Sequence, residues 1–182
     1  MRSLLITFAL VGCGSKRPER APIVIPRTTG PLVIDGELGE ADWNNHSLRH
    51  TLTAAAGEQA RPFSEVRWLH DDTVLYVGLY AADENIQSRD FFDVAIGALS
   101  FRIDATGKLT PPMPDAKVGL DRDGTLDDPS NDDEEWVLEV AIPLPATGLT
   151  TGAAKPVRAA RCDTPKDGVE RCGSWSADAM LE

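Results

Sequence analysis

Cysteine, aromatic side chains and positive charge are all scarce in this chain of 182 residues. Lys plus Arg number 18 against 29 Asp plus Glu, and the formal net charge of -11 repels a phosphate backbone, which argues against a nucleic-acid partner. No apolar run reaches the roughly 20 residues that a membrane-crossing helix needs. There is no H-E-x-x-H helix, no G-x-S-x-G elbow and no phosphate-binding glycine loop. The three histidines, His46, His50 and His70, show no zinc spacing with cysteines. A glycosidase needs two carboxylates flanking the scissile bond, and here acids are so plentiful that no pair stands out. The chain reads as a non-enzyme. Aromatic content is only 6%, so Val, Ile and Leu fill the apolar positions.

Those apolar residues alternate with polar ones at period two, the signature of half-buried strands. Strands are expected at Leu32–Ile34, Glu65–Leu69, Val74–Tyr80, Phe91–Ile96, Leu99–Ile103, 136–142, Val157–Arg161 and Val169–Trp175. Asp35-Gly36, 70–73 and 104–107 supply turns, and short helices fit only Glu37–Asn44 and the stretch from Pro145. Many short strands between Gly, Asp and Pro turns predict an all-β antiparallel sandwich of jelly-roll or immunoglobulin-like layers, carrying one or two short helices. The segment 115–135 holds nine acids and two bases and reads as a solvated loop.

The amino terminus has its own logic. Met1-Arg2-Ser3 is followed by the eight-residue apolar run Leu4–Val11, which fits the hydrophobic region of an export signal. Leu10-Val11-Gly12-Cys13 resembles the lipobox of bacterial lipoproteins, which implies cleavage after residue 12 and lipidation of Cys13. Gly14, where an aspartate often marks inner-membrane retention, favours the outer membrane. Residues 13–30 read as a flexible tether and 31–182 as the folded domain. Export leaves Cys162 and Cys172 in an oxidising compartment. The turn Pro165–Gly168 lies at their midpoint, so a hairpin sets them opposite each other for a disulfide.

Six segments, in order, carry a family resemblance. They are PLVIDGELGEADW (31–43), VRWLHDDTVLYVGLYAAD (66–83), Asp90-Phe91-Phe92-Asp93-Val94, SFRIDATGKL (100–109), EEWVLEVAIPL (134–144), and Arg161 with Ser174-Trp175-Ser176. Together they resemble the family 9 carbohydrate-binding modules and their DOMON-like relatives. The resemblance implies a two-sheet β-sandwich, often bound to calcium and often attached to polysaccharide-degrading enzymes. It also implies a sugar held between two aromatics, because a pyranose buries its apolar face on a π surface. This chain departs there, since neither 86–89 nor 177–180 offers a Trp or Tyr, and the sequence ends at Glu182, ahead of the final strand the family usually has, which is either missing or replaced.

Candidate site residues follow. Trp43, Trp68 and Trp136 sit in core patterns, whereas Trp175 is the tryptophan with a case for exposure. Tyr76 and Tyr80 share the strand face opposite Leu75, Val77 and Leu79, where they either line a shallow sugar-binding surface or cover a neighbouring layer. Asp121, Asp123 and Asp127 alternate around Gly124 and offer oxygens to a structural calcium. The expected function is a lipid-anchored envelope module that binds an oligosaccharide or polysaccharide. The alternative is an envelope lipoprotein that uses the fold without a sugar site to bind a protein partner; a DOMON-type haem domain ranks below it, because Met113 between prolines and His70 in a turn make poor axial ligands.

Overall fold

The computed structural model describes residues 21–182. Two sheets face each other. The first has the order β1 (Ile23–Ile25), β11 (Arg171–Leu181), β10 (Lys155–Asp163), β5 (Phe91–Ile96), β6 (Leu99–Asp104), β7 (Leu109–Thr110). The second runs β2 (Leu48–Thr51), β3 (Ser64–His70), β4 (Val74–Ala82), β9 (Glu135–Pro143), β8 (Lys117–Asp123). Neighbours pair antiparallel except β1, which lies parallel to β11. Two short helices, α1 (Ala41–Asn45) and α2 (Leu144–Thr147), complete the elements. The all-β sandwich read from periodicity is the architecture observed.

Alternation dictates the main core. Val66 and Trp68, Leu75, Val77 and Leu79, and Trp136, Leu138, Val140 and Ile142 point from the second sheet into the interior. Phe92, Val94, Ile96, Phe101, Ile103, Val157 and Ala159 meet them from the first. A second, smaller core covers the other face of the second sheet. Leu38 and Trp43 pack there on Leu69, Tyr76, Val137 and Ala141, joined by Leu32, Ile34, Val74 and Tyr80. Strand β9 is therefore buried on both faces, unusual for an antiparallel strand. Among the described residues the first sheet has no such cover over Arg158, Ser100 and Arg102, which stay exposed.

Four expectations change. Leu32–Ile34 is not a strand but an extended segment lying on the second sheet, with Val33 62% exposed between its two packed neighbours. The Asp35-Gly36 pair does more than turn the chain. Gly36 (φ +100°) brings its backbone so close to β8 that a Cβ would lie 2.4 Å from the Asp121 nitrogen, and Gly119 returns the approach against Asp35. The acidic stretch 115–135 is half strand, because β8 pairs with β9 along its length. Finally, the sheet begins inside the stretch expected to be tether, since β1 places the fully buried Ile25 against β11.

Candidate functional site

The three aromatic candidates do not share one surface. Tyr76 is 9% exposed beneath the covering segment, and its hydroxyl donates to Asp71 Oδ2 at 2.6 Å. Burial and that carboxylate push its phenol well above the ordinary tyrosine range. Tyr80, half-buried beside Phe63, is pushed to about 12 by burial and Glu135. Tyr76 thus lies beneath a covering layer, whereas Tyr80 stays partly open. Trp175 lies on the opposite sheet, half-buried, stacked at 3.9 Å on His50 and tilted against Trp68 at 6.2 Å. Burial holds His50 below the usual histidine range. Residues 177–180, expected as a loop, continue β11 and pair with β1 and β10. Ile86, ahead of β5, is fully buried.

Two buried polar centres occupy the interior instead, and the family-like motifs meet in them. The first is Glu139, with no exposed surface. Its Oε1 accepts from Trp43 Nε1 at 2.6 Å, and its Oε2 accepts the amides of Gly36 (2.8 Å) and Asp35 (2.9 Å). Burial raises its carboxyl above the usual range against the pull of those three donors. This one carboxylate pins the 31–43 segment onto the sheet. Space for it comes from Gly78, where a Cβ would lie 2.6 Å from Leu38 Cδ2.

The second centre is Arg161. Its Nη2 donates to Asp83 Oδ2 at 2.8 Å and Asp163 Oδ1 at 2.6 Å, and its Nη1 donates to Ser64 Oγ and the Ala82 carbonyl. Trp136 Nε1 donates to the same Asp83 oxygen at 2.9 Å. Asp90 stands alongside, accepting from the amides of Gln87 and Thr164. Oxygens of Asp83, Asp90 and Asp163 lie within 4.8 Å of one another, all buried. Three carboxylates thus face one guanidinium, and Asp163 Oδ2 has no partner. Burial lifts Asp90 to about 6, and burial with the neighbouring acids lifts Asp163 too. The inward alternation of Arg161 and Asp163 on β10 was the available signal, since charges on a core-facing register must be paired.

The calcium residues chosen from sequence are not brought together. Asp121 and Asp123 lie on β8, whereas Asp127, in a left-handed conformation (φ 59°), accepts the Ser88 amide at 2.9 Å. Among the described residues, the group of three acids whose oxygens converge is Asp83, Asp90 and Asp163. Oxygens bound to one calcium at about 2.3–2.6 Å stand no more than about 5 Å apart, a span these three acids meet, although Arg161 already donates to two of them and calcium takes six to eight oxygens. Asp83 also lines a cavity of about 540 Å³, together with Arg61, Pro62, Glu84, Asp133 and Arg171. The Cys162–Cys172 disulfide forms between directly opposed residues of β10 and β11. His70, named for haem, is buried with Nδ1 donating to the Asp71 carbonyl, and Met113 packs on the core. Cys13 lies outside the described residues.

No family model and no curated protein matches the chain. Solved structures do match. A family 9 carbohydrate-binding module of Caldicellulosiruptor kristjanssonii, in complex with cellotriose, is 16% identical with a TM-score of 0.65, covering 89% of this chain and 94% of its own. A module of the same family and organism, in complex with glucose, is 18% identical with a TM-score of 0.61, covering 88% and 96%. The fold is that of a family 9 carbohydrate-binding module. Within the family 9 fold, both buried centres tie strands to loops: one fixes the covering segment, the other the loop end of β4, β5 and β10.

Proposed function

We propose that this chain is a non-catalytic carbohydrate-binding module, carried on a bacterial envelope lipoprotein anchored through Cys13 and directed to the outer membrane. The observation that carries the sugar reading is the match of nearly the whole domain to family 9 modules in complex with cellotriose and glucose. Binding needs no acid–base pair, and the buried carboxylates are engaged with backbone amides, Trp136 and Arg161. Of the three aromatics expected to touch sugar, Trp175 and Tyr80 keep partly open rings. Isothermal titration with cello- and xylo-oligosaccharides, with depletion onto insoluble polysaccharides, tests this reading. Saturable binding supports it, and silence across the panel overturns it. The anchor is tested separately, by whether the mass of protein made in a processing bacterium includes diacylglycerol on a new amino-terminal Cys13.

We also place a structural calcium at Asp83, Asp90 and Asp163 rather than at 121–127. The unpartnered Asp163 Oδ2 supports this, because a buried carboxylate oxygen is costly without a donor or cation. Such an ion supplies charge compensation and loop rigidity, with no part in binding chemistry.

A second reading is an envelope lipoprotein whose fold binds a protein instead of a sugar. The covered Tyr76 and the β11 residues at 177–180, where a sugar-clamping loop is expected, favour it. Capture of one defined envelope protein, with no glycan binding, decides for it.

A further inference from the structure

The outer face of the first sheet, uncovered among the described residues, carries a groove. Register aligns its residues in cross-strand rows: Ser176, Arg158, Ala95 and Ser100 in one, and Ala160, Asp93, Arg102 and Thr110 in the next. Small side chains at Ala95 and Ser100 lower the floor, leaving an open groove of about 320 Å³ between Arg158 on one side and Arg102, Thr110 and Pro111 on the other.

The two arginines differ in a useful way. Arg102 is fixed: Nε and Nη2 donate to Asp93 Oδ1 (2.8 Å) and Oδ2 (2.9 Å), and its guanidinium carbon lies 3.4 Å from the Phe91 ring centroid. Clamped edge-on by a carboxylate and face-on by an aromatic ring, it keeps Nη1 free and loses little freedom on binding. Arg158 is exposed and has no ion-pair partner among the described residues. Asp93 pairs with Arg102, and Glu170 also acts on that guanidinium, whereas Arg158 stands without such a pair among the described residues, in a chain of net charge -11.

We propose that this groove binds the carboxylate of an acidic sugar, a uronate unit within a glycan chain. The proposal rests on the carbohydrate-binding reading and names its substrate class. A guanidinium recognises a planar carboxylate through paired N–H donors. Ser100 and Thr110 provide hydroxyls for the sugar's own, and Ala95 and Pro111 provide apolar surface for its ring. A short uronate oligomer seats one carboxylate in the groove, whereas a long polyanion is repelled by the rest of the protein.

Titration calorimetry of the full chain with trigalacturonate, cellotriose and inorganic sulfate tests the assignment, alongside Arg158→Gln and Arg102→Gln. Both positions are exposed, so the variants should keep the wild-type circular-dichroism spectrum. Trigalacturonate should bind more tightly than cellotriose, weaken with added salt, and lose affinity about tenfold in Arg158→Gln, the effect of one charged hydrogen bond. If cellotriose binds and trigalacturonate does not, the groove assignment fails while the carbohydrate reading stands. If neither binds, the groove assignment fails, and the carbohydrate reading falls too if the wider panel of oligo- and polysaccharides is also silent. Sulfate binding as tightly as trigalacturonate, or an unchanged affinity in Arg158→Gln, also overturns the assignment.

Discussion

Replacing Arg161 by Met isolates the electrostatics of the second buried centre, because the aliphatic length is kept and only the guanidinium is lost. Arg161, Asp83 and Asp163 are each 2% exposed or less at their side chains, so water does not screen them. Breaking a buried pair by removing one partner costs about 3–5 kcal/mol, since it strands the other charges. For a chain of this length each kcal/mol shifts the melting temperature by about 2–4 °C, so the expected fall is roughly 6–20 °C. The pH dependence makes the test specific. Asp90, at about 6, and Asp163, also raised, bind protons more tightly folded than unfolded. A raised folded-state pKa means that these groups stabilise the fold relative to neutral pH as pH drops through about 6 toward the ordinary carboxylate range. Protonation removes the stranded charge in Arg161→Met, so its deficit should shrink between pH 7.5 and 5.5. Differential scanning calorimetry in EDTA reads both quantities. A deficit equal at the two pH values, or no deficit, refutes the reasoning.

Three further outcomes are expected. Calcium against EDTA should raise the melting temperature at pH 7.5, by the equivalent of about 2.7 kcal/mol at a hundred times the dissociation constant; Asp163→Asn should abolish the rise, whereas the triple change Asp121→Asn, Asp123→Asn, Asp127→Asn leaves it intact. Converting Cys162 and Cys172 together to Ala should lower stability by about 2.5–3 kcal/mol in urea titrations, the chain entropy of a short closed loop, and a smaller loss means that β10 and β11 are held together without it. Glu139→Ala should cost at least about 3 kcal/mol, because Trp43 Nε1 and the amides of Asp35 and Gly36 lose their acceptor, and hydrogen exchange should quicken at those amides before it does in β4 or β9.

The fold was legible because its information is local. Period-two alternation in β3, β4, β5, β6 and β9 names the face each side chain takes, and the turn at 165–168 places Cys162 across from Cys172 without any tertiary knowledge. Strands β1, β2, β7 and β8 escaped, being short or polar edge strands whose pairing depends on neighbours rather than on pattern. The family-like motifs also told more about architecture than about binding. Trp43, Asp83, Trp136, Glu139 and Arg161 are joints, where a buried charge or indole reaches a partner 53 to 104 residues away.

What tertiary structure alone decided is which face is covered. The alternation in 74–80 put Tyr76 and Tyr80 together correctly, but periodicity assigns faces without saying what lies above them. The 31–43 segment lies on that face, seated by Gly78 and tied by Glu139. Likewise Asp83, Asp90 and Asp163 are scattered over eighty residues of sequence, and only the closing of β4, β5 and β10 around Arg161 brings their oxygens within one ion's span. Sequence fixes a side chain's direction through backbone geometry; its neighbours across long loops depend on how the sheets stack.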